Sequence, residues 1–404
     1  MTEWKTYKLG DICKRVCSGG TPKSTEPTYY DGDIPWLNTK EINFNRIYST
    51  ERCITQKGLD NSSAKWIDAN CVIVAMYGAT AAKVAINKIP LTTNQACCNL
   101  SIDEGIADYH YVYYWLCANY TELASLANGG AQQNLNAQQI KDFEISLPSL
   151  EEQRRIAGIL GAIDDKIENN RRVNTNLELQ AQALYKQWFV DFEFPNEDGK
   201  PYKSSGGKMV DSELGLIPEG WSVGDMYKYT KVIYGAPYKS SLFNEKKEGN
   251  PLIRIRDLKT FAPQYYTKEI LPNTEFVNAG DVVAGMDAEF VPCLWMGEKG
   301  VLNQRCCKFV GKQDSISNYY VMFLVKPELE FVQSYKTGTT VSHLGKSDID
   351  KFVVVLPPLT VIEKFSKIAN ALLNNKANLA KENITLATLR DTLLPKLMNG
   401  EIKL

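Results

Sequence analysis

From Ile156 the apolar positions fall in alternating steps of four and three: Ile156, Leu160, Ile163, Ile167, Asn170, Asn174, Leu177, Ala181, Leu184 and Trp188. That spacing is the a/d seam of a coiled coil. The seam returns as Phe365, Ala369, Leu372, Lys376, Leu379, Asn383, Leu386, Arg390, Leu393 and Leu397, each 209 positions on (365 − 156). Two helices of about 35–40 residues are predicted, about 55–60 Å long at 1.5 Å per residue. One such helix cannot bury its stripe alone, so each is the natural partner of the other, packed antiparallel. Asn174 and Asn383 put an amide at the same seam position, where it fixes register at some cost in stability. Lys376 and Arg390 interrupt the second seam, and Pro395 is expected to kink or end its helix.

The stretches before the helices carry a different pattern. Short β-branched runs such as Cys71-Val72-Ile73-Val74, Asp281-Val282-Val283 and Val353-Val354-Val355 are punctuated by Gly, Pro and Asn. They predict strands, with short helices between them, one over 109–120, whose aromatics at 111–115 are expected in the core. The fold class expected is α+β: two strand-rich mixed domains and a pair of long antiparallel coiled-coil helices, duplicated with pseudo-twofold symmetry. The boundaries expected are 1–150 for the first domain, 151–190 for the first helix, 191–212 for a linker rich in Gly, Pro, Ser and charge, 213–358 for the second domain and 359–404 for the second helix.

The duplication extends into the strand-rich domains. Asn94-Gln95-Ala96-Cys97-Cys98 returns as Asn303-Gln304-Arg305-Cys306-Cys307, again 209 positions on (303 − 94). Leu135, Ile140, Phe143 and Leu147-Pro148 meet Leu344, Ile349, Phe352 and Leu356-Pro357 in the same register. Upstream the offset drifts, and "IPWLNTKEI" (34–42) faces "NPLIRIRDL" (250–258). The repeat also disposes of one motif. Gly345-Lys346-Ser347 suggests a phosphate-binding loop, but position 340 is Thr where that loop needs glycine, and a strand, not a helix, is expected to follow. "GTTVSHLGKSDIDKF" (338–352) is the second copy of "GGAQQNLNAQQIKDF" (129–143), which has no Gly-Lys-Ser.

Composition adds mainly exclusions. The net charge is −1, with 44% hydrophobic and 23% charged residues, ordinary for a globular chain and neutral on nucleic acid. No apolar run approaches the roughly 20 residues of a membrane helix, and Met1-Thr2-Glu3-Trp4-Lys5 lacks the apolar core of a signal peptide, so a cytoplasmic protein without membrane contact is expected. Ten cysteines without a C-x-x-C pair, and only His110 and His343, read as free buried thiols and no metal site. No Asn/Asp-Pro-Pro-Tyr loop and no Gly-x-Ser-x-Gly elbow occur, and Glu197, Asp198 and Lys200 in the linker are not read as a nuclease site. No catalytic residue is expected.

Across its whole length the chain resembles the specificity subunit of type I restriction–modification systems. The resemblance rests on "LPSLEEQRRIAGILGAIDDKI" (147–167), "GKPYKSSGGKMVDSELGLIPEGW" (199–221), "LRDTLLPKLMNGEI" (389–402) and the Trp4–Asp11 opening. It implies two target-recognition domains, each reading one half of a split, asymmetric double-stranded DNA sequence, with the helices setting the gap. It implies no catalytic centre and no cofactor on this chain. The partners it implies are two methyltransferase subunits, which use S-adenosylmethionine, and two motor–nuclease subunits, which use ATP and Mg. The helix faces bearing Glu151, Arg154, Arg155, Arg171 and Arg172 would meet the methyltransferases.

Base edges are read by paired hydrogen bonds, Arg or Lys to guanine and Asn or Gln to adenine, and phosphates by Lys, Arg, Ser or Thr. On loops that recur in both copies, the candidate DNA-binding residues are Lys23, Ser24, Asn38, Thr39, Lys40, Tyr77, Thr80, Gln132, Gln133 and Asn134 in the first. In the second they are Tyr238, Lys239, Ser240, Arg254, Arg256, Asp287, Thr339, Thr340 and His343. At one matched site "WLNTK" carries amides where "IRIRD" carries arginines alternating on an expected strand, so the first half-target should lean to adenine and the second to guanine. Asn94-Gln95 and Asn303-Gln304, kept in both copies, read as shaping the domain, because the two copies should read different sequences. Two other classes stay open at this point: a nucleotide hydrolase or nuclease, and a coiled-coil scaffold that reads no sequence.

Overall fold

The computed structural model describes residues 4–127, 134–336 and 342–404. The chain forms two compact units, Met1–Asp165 with Ala387–Leu404, and Lys166–Leu386. The predicted Gln132, Gln133, Thr339 and Thr340 lie outside the described residues.

In unit 1 a five-stranded sheet has the order Cys13–Ser18, Cys97–Ile102, Val72–Ala75, Val84–Asn87, Asn45–Ile47. A second sheet orders Arg52–Ile54, Tyr30–Leu37, Leu91–Thr93, Trp66–Ile67, and Lys5–Lys8 pairs with Glu144–Leu147. Unit 2 repeats the scheme. One sheet runs Thr230–Tyr234, Cys306–Gly311, Val282–Gly285, Cys293–Leu294, and the other Tyr266–Thr267, Asn250–Ile253, Gly300–Leu302, Phe276–Val277. Ser222–Asp225 pairs with Val353–Leu356 as Lys5–Lys8 does with Glu144–Leu147. Even the rarer parallel pairing recurs: Trp36–Leu37 lie beside Thr92–Thr93, and Leu252–Ile253 beside Val301–Leu302. The central strands Val72–Ala75 and Val282–Gly285 are buried on both faces, which is why they read as continuous apolar stretches, whereas Val353–Leu356 alternates.

The aromatics of 111–115 are buried, as expected, on a helix Tyr109–Ala118 whose N-cap Asp108 accepts from the N–H groups of His110 and Tyr111 at 3.0 Å. The stretch 191–221 is not a bare connector. Phe194 stacks on Tyr202 and packs against Trp221, and Met209–Val210 pairs with Ile217–Pro218, all within unit 2.

The long helices are Leu150–Tyr185 and Leu359–Met398. Every seam position named from the sequence is buried or half-buried. Within unit 2, Asn170 Nδ2 donates to Asn383 Oδ1 at 2.9 Å and to Glu382 Oε2 at 2.8 Å, while Lys376 bonds Glu178. A lower residue of one helix thus meets a higher residue of the other, and the pair runs antiparallel. The seam partner of Asn383 is Asn170. One expectation is corrected here. Lys376 does not interrupt the seam, because a carboxylate from the facing helix neutralises it. Arg390 is likewise paired, to Asp164 at 2.8 Å within unit 1, and also to Asp391. Pro395 sits in the last turn, and the helix ends at Met398. Among the described residues no helix is long and apolar enough to cross a membrane.

Candidate nucleic-acid interface

The shared Asn-Gln turn is the hub of a loop cluster in each unit. In unit 1 Asn94 N–H donates to the Leu37 carbonyl (3.0 Å), Gly20 N–H to Thr93 (2.8 Å), Met76 N–H to Ala96 (2.8 Å) and Leu135 N–H to Met76 (2.8 Å). In unit 2 Asn303 N–H donates to Ile253 (3.0 Å), Ala236 N–H to Leu302 (2.9 Å), Met286 N–H to Arg305 (2.9 Å) and Leu344 N–H to Met286 (2.7 Å). Tyr77 bridges Asn134 as Asp287 bridges His343. The same backbone bonds therefore gather five loops in each unit, around 19–24, 38–41, 76–82, 94–96 and 134–136, and around 235–240, 254–257, 286–290, 303–305 and 342–345. The approach is tight. A Cβ on Gly19 would stand 2.0 Å from the Thr93 carbonyl oxygen, and one on Gly235 2.1 Å from that of Asn303.

The asparagines of the hub serve the frame. Asn94 Oδ1 accepts from Ala96 N–H at 3.1 Å, and Asn303 Oδ1 from Arg305 N–H at 3.2 Å. The glutamines do not share that duty: Gln95 and Gln304 are exposed, and Gln95 Oε1 takes the Thr21 hydroxyl. Sharing between copies thus hides two kinds of residue, and burial is what separates them.

The candidates fall into three groups. Lys23, Ser24, Tyr77, Asn134, Lys239, Ser240 and Arg256 are exposed on these loops, and Thr80 and Asp287 are half-buried there. A second group is tied locally. Asn38 caps the short helix Thr39–Glu41, accepting from Lys40 N–H at 3.2 Å, and Lys40 pairs with Glu51 at 2.5 Å, a bond that raises the Lys40 pKa. Thr39 is half-buried beside the cap. The third group is packed. Tyr238 lies in the core at 5% exposure and donates its hydroxyl to Thr274 Oγ1 at 2.9 Å. What that loop offers to solvent is Lys239 and Ser240.

Arg254 and Arg256 do not alternate on a strand. The strand ends at Ile253, and Arg254 caps a short helix Ile255–Leu258. Its guanidinium lies over the Tyr265 ring at 4.3 Å, with Nε 3.3 Å from Asp257 Oδ2 and Nη2 3.4 Å from Gln264. Arg256 points to solvent from that helix. The alternation failed because Asp257, three residues after Arg254, accepts its backbone N–H and turns the chain.

The Gly-Lys-Ser stretch has a local explanation. Gly345 N–H donates to Asp348 Oδ2 at 2.8 Å, a four-residue helix Lys346–Ile349 follows, and Lys346 Nζ pairs with Asp350 at 2.6 Å. A short helix was not expected before the strand Val353–Leu356. It is the second copy of Ala137–Asp142, which Asn136 and Gln139 cap reciprocally. Of the cysteines, burial pushes Cys71 up to about 11, and Cys98 and Cys307 up to about 12. Among the described residues no cluster of His, Cys, Asp and Glu is built to hold a metal.

Arg305 escaped the sequence reading because its Asn-Gln neighbours drew attention to what the copies share. The signal was the contrast with Ala96 in the first copy.

Two α+β units with matched loop clusters and long helices define a duplicated α+β architecture. Over 98% of this chain and 96% of the other, the fold superposes on the S subunit of a type I restriction–modification system from M. genitalium, with a TM-score of 0.57 at 16% identity. Residues 1–179 and 219–388 match the type I restriction modification DNA specificity domain, so the chain belongs to that family. It is 29% identical over 430 residues to the type I restriction enzyme MjaIX specificity subunit of Methanocaldococcus jannaschii, covering 99% of this chain and 94% of the relative. It is 21% identical over 476 residues to the HindI specificity subunit of Haemophilus influenzae, with both chains covered in full.

Proposed function

We propose that this chain is the DNA-reading subunit of a type I restriction–modification enzyme in the cytoplasm. Each unit reads one half of a split, asymmetric duplex target, and the long helices set the gap and dock methyltransferase subunits. The boundaries 1–150 and 213–358 for the readers, and 151–190 and 359–404 for the helices, belong to this proposal. The observation that carries it is one backbone frame presenting two different side-chain sets: Tyr77, Ala96 and Asn134 against Asp287, Arg305 and His343. A fixed frame whose side chains are exchanged, with Tyr77 and Asn134 exposed in one unit and Arg305 and His343 in the other, fits base readout. S-adenosylmethionine, ATP and Mg would be held by the methyltransferase and motor–nuclease partners, and this chain would contribute no catalytic group.

The test is a methylation map. The chain is co-expressed with its own methyltransferase subunit in a host free of DNA methylation, and modified bases are located by sequencing. A split motif with a fixed gap and methyladenine in both halves is expected, and exchange of residues 1–150 should alter one half alone. A complex that forms but marks no motif would overturn the proposal in favour of a scaffold that reads no sequence.

A further inference from the structure

Three positions change together between the units. Where unit 1 has Tyr77, Ala96 and Asn134, unit 2 has Asp287, Arg305 and His343 on the same backbone frame. In unit 2 they touch. His343 Nδ1 lies 2.7 Å from Asp287 Oδ1, and Arg305 Nε pairs with Asp287 Oδ2 at 3.4 Å. We propose that Arg305 reads a guanine in the half-target of unit 2, with Asp287 as its positioning residue; this rests on the reading of function given above.

Arg305 is fixed at its base and open at its tip. Its N–H is held by Asn303 and its carbonyl by Met286 N–H, so the backbone cannot swing. The Asp287 carboxylate, at 23% side-chain exposure, takes the Nε side. The guanidinium makes no other ion pair or hydrogen bond among the described residues, and the Arg305 side chain is 57% exposed. A planar fork held from behind by a carboxylate, with its terminal N–H groups free, matches the two acceptors O6 and N7 on the major-groove edge of guanine. The carboxylate is itself braced by His343, and its loop is tied by Ala288 N–H to the Ser342 carbonyl at 2.9 Å. Arg254 is different in kind, since Asp257, Gln264 and Tyr265 already occupy its guanidinium.

The test uses the full chain with its methyltransferase in the methylation map. In wild type, the half assigned to unit 2 should contain a guanine whose replacement abolishes methylation. Arg305→Ala should lower the preference for that guanine about ten-fold, the scale of one bidentate base contact. The unit 1 half and the gap should stay unchanged, which reports that the variant folds and assembles. Arg305→Lys keeps the charge without the fork and should relax the same position, and Asp287→Asn should relax it less. If Arg305→Ala forms the complex but methylates nothing, Arg305→Lys decides. Undiminished preference for guanine in the lysine variant, or relaxation at a position other than guanine, would overturn the assignment. So would a unit 2 half that contains no guanine. A wild-type chain that marks no split motif is a separate result: it overturns the reading of function, and this assignment with it.

Discussion

His343 Nδ1 stands 2.7 Å from Asp287 Oδ1, and the backbones of the two residues bridge as those of Asn134 and Tyr77 do in the first unit. The bridge belongs to the frame, and the side-chain contact belongs to unit 2 alone. Because His343 is half exposed, its contact with Asp287 is screened by water and contributes little to stability. His343→Ala should therefore cost under about 1 kcal/mol in thermal unfolding. In the methylation map it should alter only the half read by unit 2. A large loss of stability would mean that the cluster is structural.

The close approach at the hub predicts a sharp glycine effect. Gly235→Ala places a methyl group 2.1 Å from the Asn303 carbonyl oxygen, so the Asn-Gln turn must shift. Overpacking of this kind costs about 1–3 kcal/mol. Gly345→Ala meets nothing nearer than 3.4 Å and should cost under about 1 kcal/mol, the loss of glycine at an N-cap. Denaturant titration of both variants should rank them in that order. The converse order would mean that Gly345, not the hub, governs this loop cluster.

The helix seam predicts an asymmetry between two partners. The Lys376 side chain is 10% exposed and that of Glu178 45% exposed. Glu178→Ala strands a buried ammonium and should cost about 1–3 kcal/mol, less than a fully buried pair because water reaches the carboxylate. Lys376→Met leaves a carboxylate that can turn to solvent and should be neutral or slightly stabilising. Equal losses from both variants, measured by thermal unfolding, would refute the asymmetry.

Alkaline pH should unfold the protein through its thiols. Burial raises Cys71 to about 11, and Cys98 and Cys307 to about 12, above the ordinary 9.0. A group whose pKa is raised on folding holds its proton in the folded state. Its stabilisation is complete below pH 9 and is lost between 9.0 and about 11–12, where the unfolded thiol ionises first. The unfolding temperature should be level up to about pH 8.5 and fall above it, with Cys98 and Cys307 slow to alkylate in the folded chain. Prompt alkylation of Cys98 or Cys307 in the folded chain at pH 8 would contradict this.

Much was legible in the sequence. The steps of four and three determined the two long helices, and every named seam position is buried or half-buried. The shared Asn-Gln-x-Cys-Cys motif determined the duplication, which the structure repeats down to matching backbone hydrogen bonds. These features are periodic or copied, so they survive in one dimension. Tertiary structure decided the rest. Whether Lys376 broke the seam depended on Glu178 of the facing helix. Whether Tyr238 faced solvent depended on Thr274, and whether Arg254 was free depended on Tyr265 and Gln264. Arg305, Asp287 and His343 are far apart along the chain, and only the strand-end hydrogen bonds bring them together. A polar side chain's role is set by the partner that reaches it, and that partner is chosen by the fold.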